Sequence, residues 1–546
     1  MGNSLFIVWC ESIDAMLIIG ILYAWLKRNG SDGPAMRALW IGVGAGMGLA
    51  GALGWAMLSV QGELTGAALE WFQAAILFVA AGLIAQIADR AGRNRISGAG
   101  WLARIGTAMQ RYRCVILTLQ WIVVFCYLLL LIVPAFMPLP PEDAHLYNNL
   151  RLFAQFIFWG IWWPFVMVSM MLLGRVWCGV FCPEGALTEF ASHHGLGRSI
   201  PHWMRWSGWP FTAFVGTTVY GQLISVYEYP QAALLVLGGS SAAAVAVGFV
   251  YGRGKRVWCR YLCPANGVFA LLAKISPLHF RVDEKVWMRN TERQPRVNCA
   301  PLIDIRHMKS ASACHACGRC SDYRGAVQLA GRTPAHEILN TRNKDVRTGE
   351  ALTLIVGVLG IATAAFQWSS SPWFVQMETA MAGWLVEHDA LLLLQDNAPW
   401  WLLTHYPAAN DLFTWLDGVC LLIYLLGGGT ALGLAILACV WLAARLANKP
   451  TLSWQRLSLA LVPLAGMGIF LGLSMLTMAH LKAERISLEW VPVVRVNLLV
   501  LGSGFSAWLG WKLLADNLSM RRLRAFAAYM LPIALIDLIW AATFFV

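Results

Sequence analysis

The sequence predicts an all-α polytopic membrane protein with about twelve transmembrane helices. Hydrophobic residues make up 58% of the 546 residues, and charged residues only 13%. A soluble globular protein carries about 25% charged residues, so a large soluble enzyme is excluded. The net charge of +12 does not indicate a nucleic-acid partner, because the basic residues cluster between apolar stretches as membrane topology requires. The lipid bilayer is therefore expected to cover most of the surface.

The helices are predicted from apolar stretches long enough to cross a hydrocarbon core of roughly 30 Å. We assign them to residues 5–26, 36–60, 67–88, 114–138, 152–174, 206–226, 230–252, 351–369, 413–444, 456–479, 491–514 and 525–545. The connections alternate between basic and acidic, with Lys27 and Arg28 after the first stretch and Glu63 after the second. Basic connections stay on the inner side of a membrane. Both chain termini are therefore expected on the outer side.

Two connections between the predicted helices are long, namely residues 253–347 and residues 367–412. Residues 253–347 contain many more Lys and Arg than Asp and Glu, so this segment is expected inside, where it could form a small soluble subdomain. We therefore divide the chain into a three-helix region (1–95), a four-helix membrane region (96–252), the inner segment (253–347) and a five-helix membrane region with an acidic outer loop (348–546).

The acidic outer loop covers residues 367–412 and contains no Lys or Arg. Ordinary topology bias explains its composition, and a landing surface for a cationic partner or metal ion is the alternative. His388 and His405, with Glu387 and Asp389, could form an outer iron or copper site. A single surface histidine is more often simply solvated.

The cysteines give the strongest chemical signal. Of thirteen, five lie singly in or at apolar stretches and are expected to be packing residues, namely Cys10, Cys114, Cys126, Cys420 and Cys439. The other eight all fall on the predicted inner side: Cys178, Cys182, Cys259, Cys263, Cys299, Cys314, Cys317 and Cys320. A reducing compartment argues against disulfides. Eight thiolates suit two sites with four ligands each.

The spacing of these cysteines indicates iron–sulfur clusters. The segments 175–183 and 256–264 are copies of one Arg-Val-Trp-Cys-x3-Cys-Pro motif. The segment 314–320 has the Cys-x2-Cys-x2-Cys spacing of three ligands to one [4Fe–4S] cluster. In one arrangement Cys299 is the fourth ligand of that cluster, and the four cysteines of the two motifs hold a second cluster. In the other, crossed arrangement, a cysteine from a Cys-Pro motif is the fourth ligand. Two structural zinc sites are the alternative to clusters.

Basic residues flank the cysteine motifs. A [4Fe–4S] core with four thiolates is anionic, so nearby cations favour its reduced form. The same residues also serve as positive-inside anchors, and both roles are compatible. They are Arg175, Arg253, Lys255, Arg256, Arg260 and Arg319.

Residues 114–347 resemble the NapH/NosR class of membrane polyferredoxins, in which helices ending in Cys-x3-Cys-Pro precede a ferredoxin-like cytoplasmic segment. The resemblance implies two [4Fe–4S] clusters and an electron carrier rather than a stand-alone catalyst. Two departures are visible. No outer segment is large enough for the flavin domain of NosR-type members, and no Cys-Pro follows Cys320.

The first ninety residues resemble half of a high-affinity iron permease. Glu11 matches the first glutamate of the permease Arg-Glu-x-x-Glu motif, Asp14 replaces the second, and Glu70 lies in a segment similar to the third permease helix. Carboxylates at i and i+3 share a helix face and are expensive to bury in lipid. They could bind iron or another hard cation, or form a protonated pair without function.

Together the two resemblances imply a component of an Ftr-type ferrous-iron uptake system. That setting implies a bacterial inner membrane with periplasmic termini and cytoplasmic clusters, a periplasmic cupredoxin or iron-binding protein as partner, and a cytoplasmic redox partner of unknown identity. The chain would accept electrons from periplasmic Fe(II) oxidation. The alternatives are a NapH/NosR-like electron donor or maturation factor for a periplasmic reductase, and an iron permease with a redox-sensing cluster domain.

Electrons from an outer donor would have to cross about 30 Å of hydrocarbon to reach inner clusters. Haem is not expected, because no histidine lies deep in a predicted span where it could be an axial ligand. A quinone is one further candidate for the carrier. The 28 tryptophans are expected mainly in the lipid-interface belt rather than in an electron path.

Overall fold

The computed structural model describes residues 100–141, 144–290, 295, 297–308, 310–514 and 519–545. Its helices are α1 (Trp101–Arg111), α2 (Arg113–Phe136), α3 (Leu150–Leu173), α4 (Pro183–His193), α5 (Trp209–Leu223), α6 (Pro230–Tyr251), α7 (Val257–Tyr261), α8 (Asn266–Ile275), α9 (Glu284–Arg289), α10 (His336–Asn340), α11 (Thr348–Ser370), α12 (Pro372–Glu387), α13 (Trp415–Ala447), α14 (Trp454–Ala483), α15 (Val491–Leu513) and α16 (Met520–Phe545). The strands are β1 (Leu278–Val282), β2 (Val327–Gly331), β3 (His405–Tyr406) and β4 (Asp411–Leu412).

Eight helices of this described part are long and apolar enough to cross a membrane. They are α2, α3, α6, α11, α13, α14, α15 and α16. The all-α polytopic fold class is therefore confirmed. The predicted stretches 5–26, 36–60 and 67–88 lie outside the described residues.

Helix α5 is shorter than the predicted stretch 206–226. It has 15 residues, which span about 22 Å at about 1.5 Å per residue. Its last residue, Leu223, accepts a hydrogen bond from the Thr404 N–H (2.8 Å), whereas Pro210 in its first turn packs close to Gly267. The helix therefore still connects two different ends of the bundle.

The connections contact one another in two separate sets. At one end, the Leu146 N–H donates to Glu484 (2.7 Å). At the other, Arg456 donates to the Leu339 carbonyl (2.9 Å). This second end carries the eight clustered cysteines, and we call it the cysteine end.

The centre of the bundle is held by close contact of α11 with α13. A Cβ on Gly360 would lie 2.3 Å from the Gly429 oxygen, and one on Gly433 would lie 2.8 Å from Val356 Cα. Small residues four apart let two helix backbones approach, which replaces the hydrophobic driving force that is missing in lipid. The glycines at 429 and 433 therefore allow the tightest helix contact in this part of the fold.

A small subdomain covers the cysteine end. Strands β1 and β2 pair antiparallel, with Leu278 opposite Gly331 and Val282 opposite Val327. Helix α1 lies on this sheet, because a Cβ on Gly106 would be 3.1 Å from Leu329 Cβ. The sequence prediction treated the segment around α1 only as a basic connection. Its glycine instead lets the helix cover the segment that holds the last three clustered cysteines.

Candidate metal centre

The two Cys-x3-Cys-Pro copies end differently despite their identical pattern. Cys178 lies buried in a π-helical turn (Trp177–Phe181), and Cys182 caps α4, where its Sγ accepts the Gly185 N–H (3.4 Å). Cys259 lies buried on the short helix α7, and Cys263 follows the end of that helix. In both copies the proline after the second cysteine prevents the preceding helix from continuing.

The structure brings these four cysteines together, and we call them the motif group. Burial raises the pKa of the Cys182 thiol, and the neighbouring Cys259 and Cys178 raise it further. Burial likewise raises the pKa of Cys263, with contributions from Glu184 and the three other thiols of the group. Four mutually interacting thiols, two of them buried and two half-buried, are costly to ionise unless a positive centre stabilises the thiolates.

A second set, the loop group, consists of Cys299, Cys314, Cys317 and Cys320. Burial and the neighbouring Cys317 raise the pKa of Cys314 to about 12. Burial raises the pKa of Cys320, and Cys314, Cys317 and Cys299 raise it further. Cys299 therefore lies near the three cysteines of the Cys-x2-Cys-x2-Cys segment, as the uncrossed arrangement of the two that spacing left open requires.

The two groups share a wall of backbone. Gly179, beside Cys178, faces the loop group: a Cβ there would lie 2.1 Å from the His315 oxygen and 2.9 Å from Cys317 N and Cα. Only glycine permits this approach. The side chain of His315 is buried as well, and its Nδ1 has no hydrogen-bond partner among the described residues. Burial and the surrounding arginines lower the pKa of His315 well below its usual value.

Two buried arginines connect the groups. Arg175 donates to Cys178 Sγ (3.7 Å) and to the Ser312 carbonyl (2.7 Å) just before the loop group. Arg256 donates to the Cys178 carbonyl (2.5 Å) and to Glu189 Oε2 (2.8 Å). Both arginines were predicted to flank the motifs. Their positive charges lie where an anionic thiolate set needs compensation.

Two carboxylates at this centre were missed by the sequence reasoning. Glu189 pairs with both Arg256 and Arg319; burial alone would raise its pKa, but the two arginines lower it. Glu184 accepts from Ser240 Oγ (2.6 Å) and Trp258 Nε1 (3.0 Å), and burial raises its pKa. The sequence offered one signal for Glu184, which is its position directly after the proline of the first motif. The second copy has alanine at the corresponding position.

Two further metal sites were predicted from the sequence. Glu11, Asp14 and Glu70 lie outside the described residues. The predicted outer site at His388 and His405 is not formed: His388 bonds to the Trp384 carbonyl (2.8 Å) on exposed α12, while His405 lies on β3. Across the described ranges, no three His, Cys, Asp or Glu side chains, those of the motif and loop groups included, converge closely enough to hold a single metal ion.

Some tryptophans pack inside the bundle rather than at its lipid surface. Trp159 is buried and contacts Tyr227 (ring centroids 4.6 Å apart) and Trp163 (6.4 Å). Trp162 contacts Trp177 (5.1 Å), which adjoins Cys178. Aromatic contacts thus extend along α3 to the motif group, in addition to the expected interface belt.

Sequence comparison supports this interpretation of the centre. The chain matches the 4Fe-4S binding domain family over residues 155–201 and 234–283, which contain both Cys-x3-Cys-Pro copies. It is also similar to the regulatory protein NosR of Pseudomonas aeruginosa, with 28% identity over 184 residues. The similar region covers 29% of this chain and 25% of NosR, so the chain spans about a quarter of that relative. No solved structure matches.

Fold, centre and comparison together define a multi-pass helical membrane protein with a 4Fe-4S binding domain. The iron-permease resemblance of the first ninety residues has no counterpart among these matches. The similarity to NosR supports a NosR-like iron–sulfur membrane protein.

Proposed function

We propose that this chain is an inner-membrane electron carrier holding two [4Fe–4S] clusters, one on the motif group and one on the loop group. The observation that carries the proposal is the pair of four-thiol groups separated by one glycine-lined backbone wall. Each group supplies four cysteines, which is the ligand number of a [4Fe–4S] cluster. When bound, the clusters supply reversible one-electron transfer.

The chain's own residues set the charge around the two groups. Arg175 and Arg256 donate hydrogen bonds within the motif group and favour an extra electron there. Glu189 holds Arg256 and Arg319 in place. Glu184 lies half-buried beside the motif thiols and accepts hydrogen bonds from Ser240 and Trp258.

We place the cysteine end on the cytoplasmic side and both termini in the periplasm. The support is the distribution of Lys and Arg, which concentrate in residues 253–347 and are missing from the long loop at the opposite end. Electrons would then pass between a periplasmic protein and a cytoplasmic partner.

Our first candidate for the electron source is periplasmic Fe(II) oxidation in a ferrous-iron uptake system, with a cupredoxin or iron-binding protein as partner. Its support is the permease-like pattern of Glu11, Asp14 and Glu70. The second candidate is electron supply to, or maturation of, a periplasmic reductase, and its support is the NosR similarity.

Cys263→Ser in the full chain tests both candidates, with Cys439→Ser as the matched control because Cys439 lies on α13 away from both groups. Loss of Fe(II)-dependent growth and of radiolabelled iron uptake would support the first candidate. Normal iron uptake with failed reductase activity would support the second. Normal uptake and normal reductase activity in a stably inserted Cys263→Ser protein would refute electron transfer. A third role, a permease with sensing clusters, requires iron flux into proteoliposomes without an electron acceptor, abolished by Glu11→Gln.

A further inference from the structure

A cavity of about 760 Å³ lies at the cysteine end. It is a half-open cavity lined by the starts of α5 and α11, by α8, and by the loop that precedes Cys314. Ligand pockets typically measure about 300–1,000 Å³, so this cavity has the size of a cofactor site rather than of a single ion. None of the roles assigned above uses it.

The cavity wall is strongly and unevenly basic. Seven Lys and Arg side chains line it against three carboxylates. Two of the carboxylates are already paired: Glu337 with Arg332 (2.6 Å) and Glu350 with Lys274 (3.0 Å). The remaining cations therefore face the cavity with little compensation from the protein.

The unpaired cations come from one short, exposed segment of the chain, which also contains the third carboxylate, Asp345. Arg342, Lys344 and Arg347, in the connection from α10 to α11, make no side-chain hydrogen bond or ion pair with any described residue. Arg175 and Arg260 line the same cavity as Arg347. Like charges gathered around a cavity cost free energy unless an anion occupies it, and guanidinium groups match the geometry of phosphate oxygens.

The same cavity reaches the iron–sulfur ligands. Arg175 lines it and also donates to Cys178 Sγ (3.7 Å). Ser312, whose carbonyl accepts from Arg175 (2.7 Å), lines it two residues before Cys314. An anion bound in this cavity is thus one side chain away from each cysteine group.

We propose that this cavity binds a phosphate-bearing redox nucleotide, a flavin or a nicotinamide, with its phosphates on Arg342 and Arg347. The size favours a nucleotide over inorganic phosphate, the charge favours a phosphate ester, and the contact with the thiol groups favours a redox-active one. The redox part of this inference rests on the proposed electron-transfer function, whereas binding itself does not require the clusters. The nucleotide would be the cytoplasmic redox partner that the sequence leaves unidentified.

Equilibrium binding to the full chain in nanodiscs of neutral lipid tests the proposal, with FMN, NADPH, ATP and inorganic phosphate as probes. We expect FMN or NADPH to bind at least about tenfold more tightly than ATP or phosphate. Arg347→Ala and Arg342→Ala should each weaken that binding by about tenfold, because each change removes a charged hydrogen-bond donor to the phosphates. Arg198→Ala is the matched control, because Arg198 is exposed at the same end and does not line the cavity.

Equal, weak binding of all four probes would overturn the proposal, and so would affinity unchanged in both arginine variants. Loss of binding on adding phosphatidylglycerol to the nanodiscs would also overturn it, because a lipid headgroup would then be the occupant. Iron and sulfide content measured on the same samples separates the two proposals. Nucleotide binding without clusters refutes only the electron-transfer function, and full cluster content without nucleotide binding refutes only this inference.

Discussion

Replacing Gly179 with alanine should damage both cysteine groups, although the residue belongs to only one. The added Cβ would lie 2.1 Å from the His315 oxygen, whereas ordinary contact begins near 3.4 Å. The loop group's backbone would have to retreat by about 1.3 Å, and no flexible side chain is available to move instead. Overpacking of this kind costs about 1–3 kcal/mol, and metal–ligand distances tolerate only about 0.2 Å.

The assay is iron and acid-labile sulfide per chain, with EPR of the reduced protein and its thermal midpoint. We expect Gly179→Ala to lose the loop-group cluster first, because the retreating segment is its own ligand loop. Gly216→Ala is the control, since a Cβ there meets nothing within 4 Å. Full iron and sulfide with an unchanged EPR spectrum in Gly179→Ala would refute the reasoning that the two groups share a rigid wall.

Three further predictions concern stability, each measured by thermal or denaturant unfolding in detergent. Glu189→Gln leaves Arg256 and Arg319 without their carboxylate and should cost about 3–5 kcal/mol. Asp304→Asn, in an exposed pair, should have little effect, and equal effects of the two changes would contradict the buried network. Gly433→Ala should lower the thermal midpoint, while Gly428→Ala, which meets nothing within 4 Å, should leave it unchanged or raised. The buried Glu337 has a lowered pKa: burial would raise it, but its paired lysine and arginine prevail. The stabilisation from ionised Glu337 is therefore complete above the ordinary carboxyl pKa of about 4.3 and is lost as the pH falls through the lower pKa of the folded state. Glu337→Gln should reduce this loss of stability in acid. The same dependence of stability on pH in the variant and the original chain would contradict this role of Glu337.

The sequence predicted the membrane helices because each is a continuous apolar run, which is visible directly in the hydropathy of the sequence. It did not resolve the ligand sets, since the position of Cys299 beside Cys314 depends on how the loop folds back rather than on spacing. It also missed Glu189, whose partner Arg256 lies 67 residues away in the chain. Long-range pairing of this kind leaves no local pattern.

Helices α1 and α5 are two further features that the sequence did not predict correctly. The segment around α1 contains arginines that serve equally well in a connection, so charge alone did not reveal that Gly106 packs on β2. Helix α5 is shorter than its apolar run because Gly208 and Pro210 delay its start, as proline favours the first turn of a helix.

The most direct test of the central claim is the iron and acid-labile sulfide content of the anaerobically purified chain, together with its EPR spectrum after reduction. Two four-cysteine groups predict about eight iron atoms and about eight sulfides per chain, with the signal of a reduced [4Fe–4S] cluster. Two zinc ions per chain with no sulfide would contradict the account, because the same eight thiolates would then hold a structural metal without redox chemistry.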